Sequence, residues 1–303
     1  MQKSNFIFWL LFVLVILFLG LGFIIHQRNI SGAQLGAHYL SSLFKSDKNS
    51  QPIDIFAGQI SAEVALVGNI NTGEILYSRN ANIHTLPASI GKLIAAMVII
   101  DNFNMNDTIT ITQDMLNPNW GTLHFSLNEK FKVKDLLNMG LVMSCNDAIM
   151  ALAYSIGEDT FVGLMNQKIK EIGLEDTGFF NPLFFDSEGN FTTALDLFQV
   201  SRYIYNKYPQ IGNITRMKAY TFKSESGITH LVVPTNILLD KIPEIWGAKT
   251  GVTPEAKECL LVIYEFQQNN QKVPYVTIVL KSDNRFKDTE ILYQWLKNKI
   301  NTF

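Results

Sequence analysis

Strand-like segments lie at both ends of the globular part of this chain, and helix-like segments lie between them. The strand-like runs are rich in β-branched and aromatic residues and occupy positions 62–67, 74–77, 231–233, 260–266 and 275–280. Apolar residues recur at helical spacing through most of residues 89–208. This order predicts an α/β (α+β) fold with an antiparallel sheet built from both ends of the domain and flanked by helices. It also predicts an inserted all-helical lobe, at about residues 93–210.

Two local patterns refine this prediction. Asn71-Thr72-Gly73 separates the first two strand-like runs and supplies turn residues, so these runs are expected to form a hairpin. Residues 287–300 predict a final amphipathic helix. Its apolar face carries Ile291, Leu292, Trp295 and Leu296.

An uninterrupted run of 20 apolar or glycine residues occupies positions 6–25. A run of this length can cross the hydrocarbon core of a bilayer as a helix. It has no polar face, which argues against a buried amphipathic helix. The only small-x-small cleavage pattern, Gly20-Leu21-Gly22, lies inside the run. We therefore expect an uncleaved signal anchor, with removal as a secretion signal as the alternative.

This run divides the chain into three predicted parts. Residues 1–28 form the N-terminal signal anchor, which is a single transmembrane helix. Residues 29–52 are polar and form a juxtamembrane stalk. Residues 53–303 form the globular domain.

Composition and short motifs exclude several classes of function. A net charge of −2 provides no basic surface, so no nucleic-acid partner is expected. The five histidines are scattered, and no glycine-rich phosphate or dinucleotide motif occurs, so the sequence predicts no metal and no cofactor. Cys145 and Cys259 are expected to be small buried thiols, with a disulfide between them as the alternative.

Three short polar motifs follow one another along the domain. They are Ser89-Ile90-Gly91-Lys92, Ser144-Cys145-Asn146 and Lys249-Thr250-Gly251. Each is common by chance, but the ordered set S-x-x-K, S-x-N, K-T-G is typical of serine acyl-transferases that recognise penicillin. Residues i and i+3 share a helical face, so Lys92 is expected beside the Ser89 hydroxyl, ready to take its proton. Pro87 suits the first turn of a helix, which would leave the Ser89 N–H free for an oxyanion.

With its flanking residues, this set resembles the serine-type D-alanyl-D-alanine carboxypeptidases, which are low-molecular-mass penicillin-binding proteins with a β-lactamase/transpeptidase-like fold. The similar segments are positions 77–80, 87–93, 135–137, 142–148, 173–177, 181–182, 193–197 and 247–253. The resemblance implies that residues 53–303 are a serine D,D-peptidase domain, that peptidoglycan stem peptides are substrates and that β-lactam antibiotics are inhibitors. Because peptidoglycan lies outside the cytoplasm, it also implies an extracytoplasmic domain held at the cell membrane by the anchor, or secreted if the anchor is cleaved.

The resemblance also implies residue roles. Ser89 is expected to be the nucleophile, Lys92 its general base, Ser144 a proton relay to the leaving nitrogen, and Asn146 a contact for the substrate peptide. Lys92 must be partly neutral for this role, which burial or a neighbouring cation such as Lys249 can achieve. The expected substrate-binding residues are Lys249, Thr250, Gly251, Val252 (through its backbone N–H in the oxyanion hole) and Thr253. The sequence departs from the family at Cys145 and Lys257, where glycine is usual.

The predicted reaction is removal of the terminal D-alanine through an acyl-enzyme at Ser89. The alternatives are a D,D-endopeptidase acting on cross-links, a catalytically inactive module that retains the fold, and a β-lactamase. Class A β-lactamases carry an E-x-x-L-N loop whose glutamate activates the deacylating water. The nearest match here, Glu171-Ile172-Gly173-Leu174-Glu175, ends in Glu and is typical of the solvated end of an amphipathic helix.

Overall fold

The computed structural model describes residues 54–117, 124–182 and 189–301. The chain divides into two compact units, Met1–Ile55 and Phe56–Phe303. The predicted anchor and stalk lie outside the described residues. Within the part that is described, no single helix is long and apolar enough to cross a membrane. One helix pair, Asn146–Ile156 with Glu158–Ile172, meets that criterion only jointly and is bent by 102°.

In the described part of the second unit, most helices lie between two N-terminal strands and a C-terminal group of strands, as predicted. The strands are β1 Val64–Asn69, β2 Ile75–Arg79, β3 Thr108–Thr110, β4 Lys130–Lys132, β5 Tyr220–Lys223, β6 Thr229–Val232, β7 Ile245–Thr253, β8 Lys257–Gln268 and β9 Gln271–Ser282. The α-helices are α1 Lys92–Asn102, α2 Val133–Val142, α3 Asn146–Ile156, α4 Glu158–Ile172, α5 Ala194–Lys207, α6 Pro209–Thr215 and α7 Arg285–Asn301.

The main sheet is antiparallel and joins the two ends of the unit. Its strand order is β2-β1-β9-β8-β7. β1 pairs with β2 as the predicted hairpin, and on its other side Val64 lies opposite Leu280 of β9. The prediction of a sheet built from both ends is therefore confirmed. β7, which carries the third motif, forms one edge of the sheet.

Alternation along the strands gives the sheet two apolar faces. Leu66, Leu261 and Ile278 belong to a core shared with the helices of the lobe. Their neighbours along the strands belong to a second core, which the predicted final helix, α7, covers with Leu292 and Leu296. Both leucines are fully buried. Truncating a buried leucine to alanine destabilises a domain by about 2–5 kcal/mol, so α7 is an integral layer of the fold.

The inserted lobe contains short strands and is not all-helical. β3 and β4 pair with each other inside residues 93–210, with Ile109 opposite Phe131. That part of the prediction was wrong, because each strand has only three residues and offers too short an alternation to detect against helical neighbours. β5 and β6 form a further two-stranded sheet after the lobe.

Both cysteines are buried and free, so the disulfide alternative is excluded. Burial raises the pKa of the Cys145 thiol to about 12. This thiol therefore stays protonated and packs as a small apolar side chain.

Candidate active site

The first motif lies on a 3₁₀ turn and not at the start of an α-helix. Ala88–Gly91 forms this turn after Pro87, and α1 begins only at Lys92. The sequence predicted a helix with Pro87 in its first turn and Ser89 at its N-terminal end, and it did not distinguish a 3₁₀ turn from an α-helix. Ala88 has a φ of 45°, so the chain bends sharply before Ser89. Because a 3₁₀ turn also brings residues i and i+3 into line, Ser89 and Lys92 still face each other.

Lys92 joins the first motif to the second. Its Nζ donates to Ser89 Oγ at 2.7 Å and to Asn146 Oδ1 at 2.6 Å. The side chain is fully buried, and this burial lowers the pKa of Lys92 to about 7. Of the two causes considered from the sequence, burial is therefore the main one. An amine with this pKa is partly neutral near pH 7 and can accept a proton from the hydroxyl beside it.

The second motif lies in the tight connection between α2 and α3. Ser144 has a φ of 62°, in the left-handed region that non-glycine residues rarely adopt. Its hydroxyl accepts a hydrogen bond from Lys249 Nζ at 2.8 Å. Cys145 follows as the N-cap, and Asn146 is the first residue of α3. The bend thus turns Ser144 toward the third motif while Asn146 contacts the first.

The third motif contributes a second buried lysine, which contacts Ser144. Lys249 is 1% exposed, and its Nζ also donates to the Thr250 carbonyl at 2.8 Å. Burial is the largest of the causes that hold the pKa of Lys249 well below its usual range, followed by the charges of Lys92 and Arg285. An anionic ligand bound beside Lys249 would oppose these effects and favour the protonated amine.

Gly251 allows the third motif to approach the first. A Cβ at this position would lie 3.0 Å from the Ala88 Cβ and 3.1 Å from the Ser89 nitrogen. A side chain at this position would require the 3₁₀ turn or β7 to shift by a few tenths of an ångström. The glycine is thus required by the close approach of the backbone to the nucleophile segment.

The last two predicted binding residues lie where β7 ends. Val252 is 58% exposed. Thr253 turns its hydroxyl into the β7–β8 turn, where it accepts from the Ala256 N–H at 3.0 Å. Lys257, which replaces the usual glycine, adopts a φ of 53° and lies opposite Thr253, so the turn keeps a left-handed residue without glycine.

Two residues that the sequence analysis did not single out also reach the third motif. The Thr235 and Thr250 hydroxyl oxygens are 2.5 Å apart. Arg285, the first residue of α7, donates from Nη1 to the Gly251 carbonyl at 2.7 Å. Both contacts join segments that are distant in sequence, and no local pattern marks either residue.

Glu171, the candidate β-lactamase base, lies in the last turn of α4 before the left-handed Gly173. Its carboxylate accepts from Lys168 Nζ at 2.5 Å and from the Tyr203 hydroxyl at 2.6 Å. The side chain is half exposed, as predicted for the solvated side of the helix. Glu171 is thus engaged in a surface cluster on the lobe.

No group of three or more His, Cys, Asp or Glu side chains suited to a metal occurs in residues 54–117, 124–182 and 189–301. The chemistry that the gathered residues support is nucleophilic. A serine hydroxyl lies beside an amine of near-neutral pKa, and a second lysine donates a hydrogen bond to Ser144 of the second motif.

Comparison with known proteins identifies the family. Residues 46–284 match the D-alanyl-D-alanine carboxypeptidase family. The chain is 31% identical over 206 residues to the D-alanyl-D-alanine carboxypeptidase DacF of Bacillus subtilis, a match that covers 66% of this chain and 53% of DacF. It is 28% identical over 248 residues to a D-alanyl-D-alanine endopeptidase of Pseudomonas aeruginosa, covering 79% of this chain and 78% of that protein. The chain thus spans only about half the length of the Bacillus relative.

Solved structures agree with this result. A variant of the Streptomyces K15 DD-transpeptidase superposes with a TM-score of 0.71 at 25% identity, covering 78% of this chain and 97% of that one. Penicillin-binding protein D2 of Listeria monocytogenes, in its ampicillin-bound form, gives a TM-score of 0.65 at 27% identity, covering 78% and 96%. The three motifs, their geometry and these matches show that the chain belongs to the D-alanyl-D-alanine carboxypeptidase family of penicillin-binding serine peptidases.

Proposed function

We propose that this chain is a serine D,D-carboxypeptidase that removes the terminal D-alanine from peptidoglycan stem peptides. The observation that carries the proposal is the 2.7 Å hydrogen bond between Lys92 Nζ and Ser89 Oγ, in a buried setting that lowers the pKa of Lys92 to about 7. This arrangement makes the serine a competent nucleophile at neutral pH.

Acylation begins when Ser89 Oγ attacks the carbonyl carbon of the penultimate D-alanine. Lys92 takes the hydroxyl proton and passes a proton to Ser144, whose hydroxyl gives its own proton to the leaving amine as the peptide C–N bond breaks. The backbone N–H groups of Ser89 and Val252 stabilise the oxyanion. Water then hydrolyses the Ser89 ester, which releases the shortened peptide and regenerates the hydroxyl.

Recognition uses the side of the site that β7 and Arg285 form. The terminal carboxylate of the substrate lies near Lys249, Thr250 and Arg285, where charge-assisted hydrogen bonds are strong. β7 is an edge strand, so an extended peptide can add to it by main-chain hydrogen bonds while Asn146 contacts the peptide from the opposite wall. Gly251 keeps this edge close to Ser89.

The decisive measurement is mass spectrometry of products from a defined pentapeptide-bearing muropeptide. We expect release of D-alanine by the full chain and none by Ser89→Ala, whose fold is retained. D-alanine release by the Ser89→Ala variant at the rate of the unsubstituted chain would refute the proposal. A chain that neither releases D-alanine nor carries a fluorescent penicillin on Ser89 would instead be an inactive module of this fold.

A D,D-endopeptidase is the second candidate, because one relative with 28% identity over 248 residues bears that name. The same residues would cleave a cross-link if the cleft admits a second stem. A cross-linked dimer offered in the same assay separates the two reactions. Faster cleavage of the dimer than of the pentapeptide would favour the endopeptidase.

β-Lactams are the inhibitors this site is expected to trap, as in the ampicillin-bound Listeria neighbour. We further propose that residues 6–25 hold the chain at the cell membrane as a single-pass anchor, with the peptidase domain outside the cytoplasm. The chain should stay in the membrane fraction after a high-salt wash, because salt does not weaken apolar burial. A mature N-terminus near Phe23 would show that the run is cleaved instead.

A further inference from the structure

Thr235 reaches the third motif from the segment between β6 and the following 3₁₀ turn. Its Oγ1 lies 2.5 Å from the Thr250 Oγ1, and its backbone N–H donates to the Val142 carbonyl at 3.2 Å. The next residue, Asn236, is buried and caps the turn by accepting from the Leu238 N–H at 3.1 Å. Thr235 is thus held from both sides, between the end of α2 and β7.

The two hydroxyl groups share one hydrogen bond, and either of them can donate it. If Thr250 donates to Thr235, the single hydroxyl proton of Thr250 is occupied and cannot be donated to a ligand. A carboxylate only accepts hydrogen bonds, so a bound carboxylate requires the opposite arrangement, in which Thr235 donates to Thr250 and Thr250 donates to the ligand. Each hydrogen bond in such a chain polarises the next.

Thr250 carries the hydroxyl of the third motif, so the direction of its proton matters for a ligand bound there. Val252, directly after the third motif, has no hydroxyl, and the Thr253 hydroxyl is held at the β7–β8 turn by the hydrogen bond that it accepts from the Ala256 N–H. Thr250 is only 4% exposed, so its hydroxyl cannot reorient freely in solvent.

We propose that Thr235 is a positioning residue for substrate recognition, whose hydroxyl directs the Thr250 proton toward the carboxylate of the bound peptide or penicillin. The inference rests on the proposed function, in which Thr250 contacts that carboxylate. It extends the recognition site to a fourth segment of the chain, outside the three motifs.

The test compares two ligands that differ only in the carboxylate. Second-order acylation of Ser89 in the full chain is measured with benzylpenicillin and with its methyl ester. The variants are Thr235→Val, which keeps the shape and removes the hydroxyl, and Thr235→Ser, which keeps the hydroxyl. Thr229→Val, at an exposed threonine of β6, is the matched control.

We expect Thr235→Val to slow acylation by benzylpenicillin about tenfold, the size expected for one hydrogen bond in a charge-assisted chain, and to change the ester rate by less than about twofold. Thr235→Ser and Thr229→Val should keep the ratio of the two rates seen in the unsubstituted chain. This ratio does not depend on the folded fraction, so a loss of stability in Thr235→Val does not obscure the result. Equal slowing with both ligands, or no slowing with either, would overturn the inference.

A second comparison separates this inference from the proposed function. Thr250→Val should lower the same ratio if Thr250 binds the carboxylate. If Thr250→Val lowers the ratio and Thr235→Val does not, only the role of Thr235 is wrong. If the unsubstituted chain is not acylated on Ser89 at all, the proposed function itself fails.

Discussion

Arg285 donates a hydrogen bond from Nη1 to the Gly251 carbonyl over 2.7 Å, which ties the start of α7 to the third motif. The guanidinium also lies 4.8 Å from the Phe286 ring centroid. Its buried Nε has no hydrogen-bond partner among the described residues. Arg285 therefore fixes the β7 edge beside Ser89 and adds positive charge next to Lys249.

We expect Arg285→Leu to reduce second-order acylation by benzylpenicillin at least about tenfold, because the variant loses both a charge and the tether on Gly251. Arg285→Lys should recover only part of the rate, since an ammonium cannot make the same planar contacts. Stopped-flow or gel-based labelling measures both variants. Arg216→Leu, at an exposed arginine, is the control. An acylation rate unaffected by Arg285→Leu would remove Arg285 from the site.

The pH dependence of acylation follows from Lys92. Because burial lowers the pKa of Lys92 to about 7, the amine is mostly protonated at pH 5 and mostly neutral at pH 9. The rate constant for acylation should therefore rise about tenfold per pH unit below 7 and level off above it. This profile is measured by labelling Ser89, over a series of pH values, with a penicillin that is itself stable in that range. A rate that stays constant from pH 5 to 9 would exclude Lys92 as the titrating base.

Lys92 should also lower the stability of the fold. Its pKa is about 7 in the folded chain against an ordinary value of 10.5, so between these limits the unfolded chain binds more protons. The destabilisation caused by Lys92 is therefore largest below pH 7. It decreases as the pH rises from 7 to 10.5.

Lys92→Met should accordingly be inactive but more stable, by on the order of a few kcal/mol at pH 6 and less at pH 10. Urea denaturation at the two pH values measures the difference in the free energy of unfolding. Lys170→Met, at an exposed lysine of α4, should show no such trend. A gain that is larger at pH 10 than at pH 6 would contradict the burial argument.

Glu171→Gln should leave the lifetime of the penicilloyl ester on Ser89 unchanged. The Glu171 carboxylate is engaged by Lys168 and Tyr203, and these hydrogen bonds hold its pKa below the usual range, which makes it a weak base. Stoichiometric, long-lived labelling is therefore expected in both proteins, and mass spectrometry of the intact chain follows it. Rapid turnover of penicillin that disappears in Glu171→Gln would make the chain a β-lactamase.

The parts of the fold that depend on long periodic patterns or on clear turn residues could be predicted from the sequence. The hairpin around Asn71-Thr72-Gly73, the final helix and the sheet built from both ends are examples. β3 and β4 were missed because three residues carry too little alternation. Secondary structure of this length is decided by tertiary pairing, such as that of Ile109 with Phe131.

In the site, too, the residues in motifs could be predicted from the sequence and isolated residues could not. The structure brings Ser89, Lys92, Ser144, Asn146 and Lys249 together through the contacts described above. Thr235 and Arg285 lie 15 and 34 positions from the residues they contact, and an isolated threonine or arginine has no signature in sequence. The 3₁₀ geometry at Ser89 was also invisible, because S-x-x-K spacing fits both kinds of helix.

The pairing of Val64 with Leu280 has a consequence for biogenesis. β1 cannot enter the sheet until β9 has been synthesised, because β9 separates it from β8 and β7. Contacts of such large sequence separation form late and slowly. The close approach of β7 to the Ser89 turn, at Gly251, depends on this sheet. We therefore expect the nascent polypeptide to be unreactive toward penicillin until almost the whole domain has emerged, so that covalent labelling of Ser89 would report completed folding.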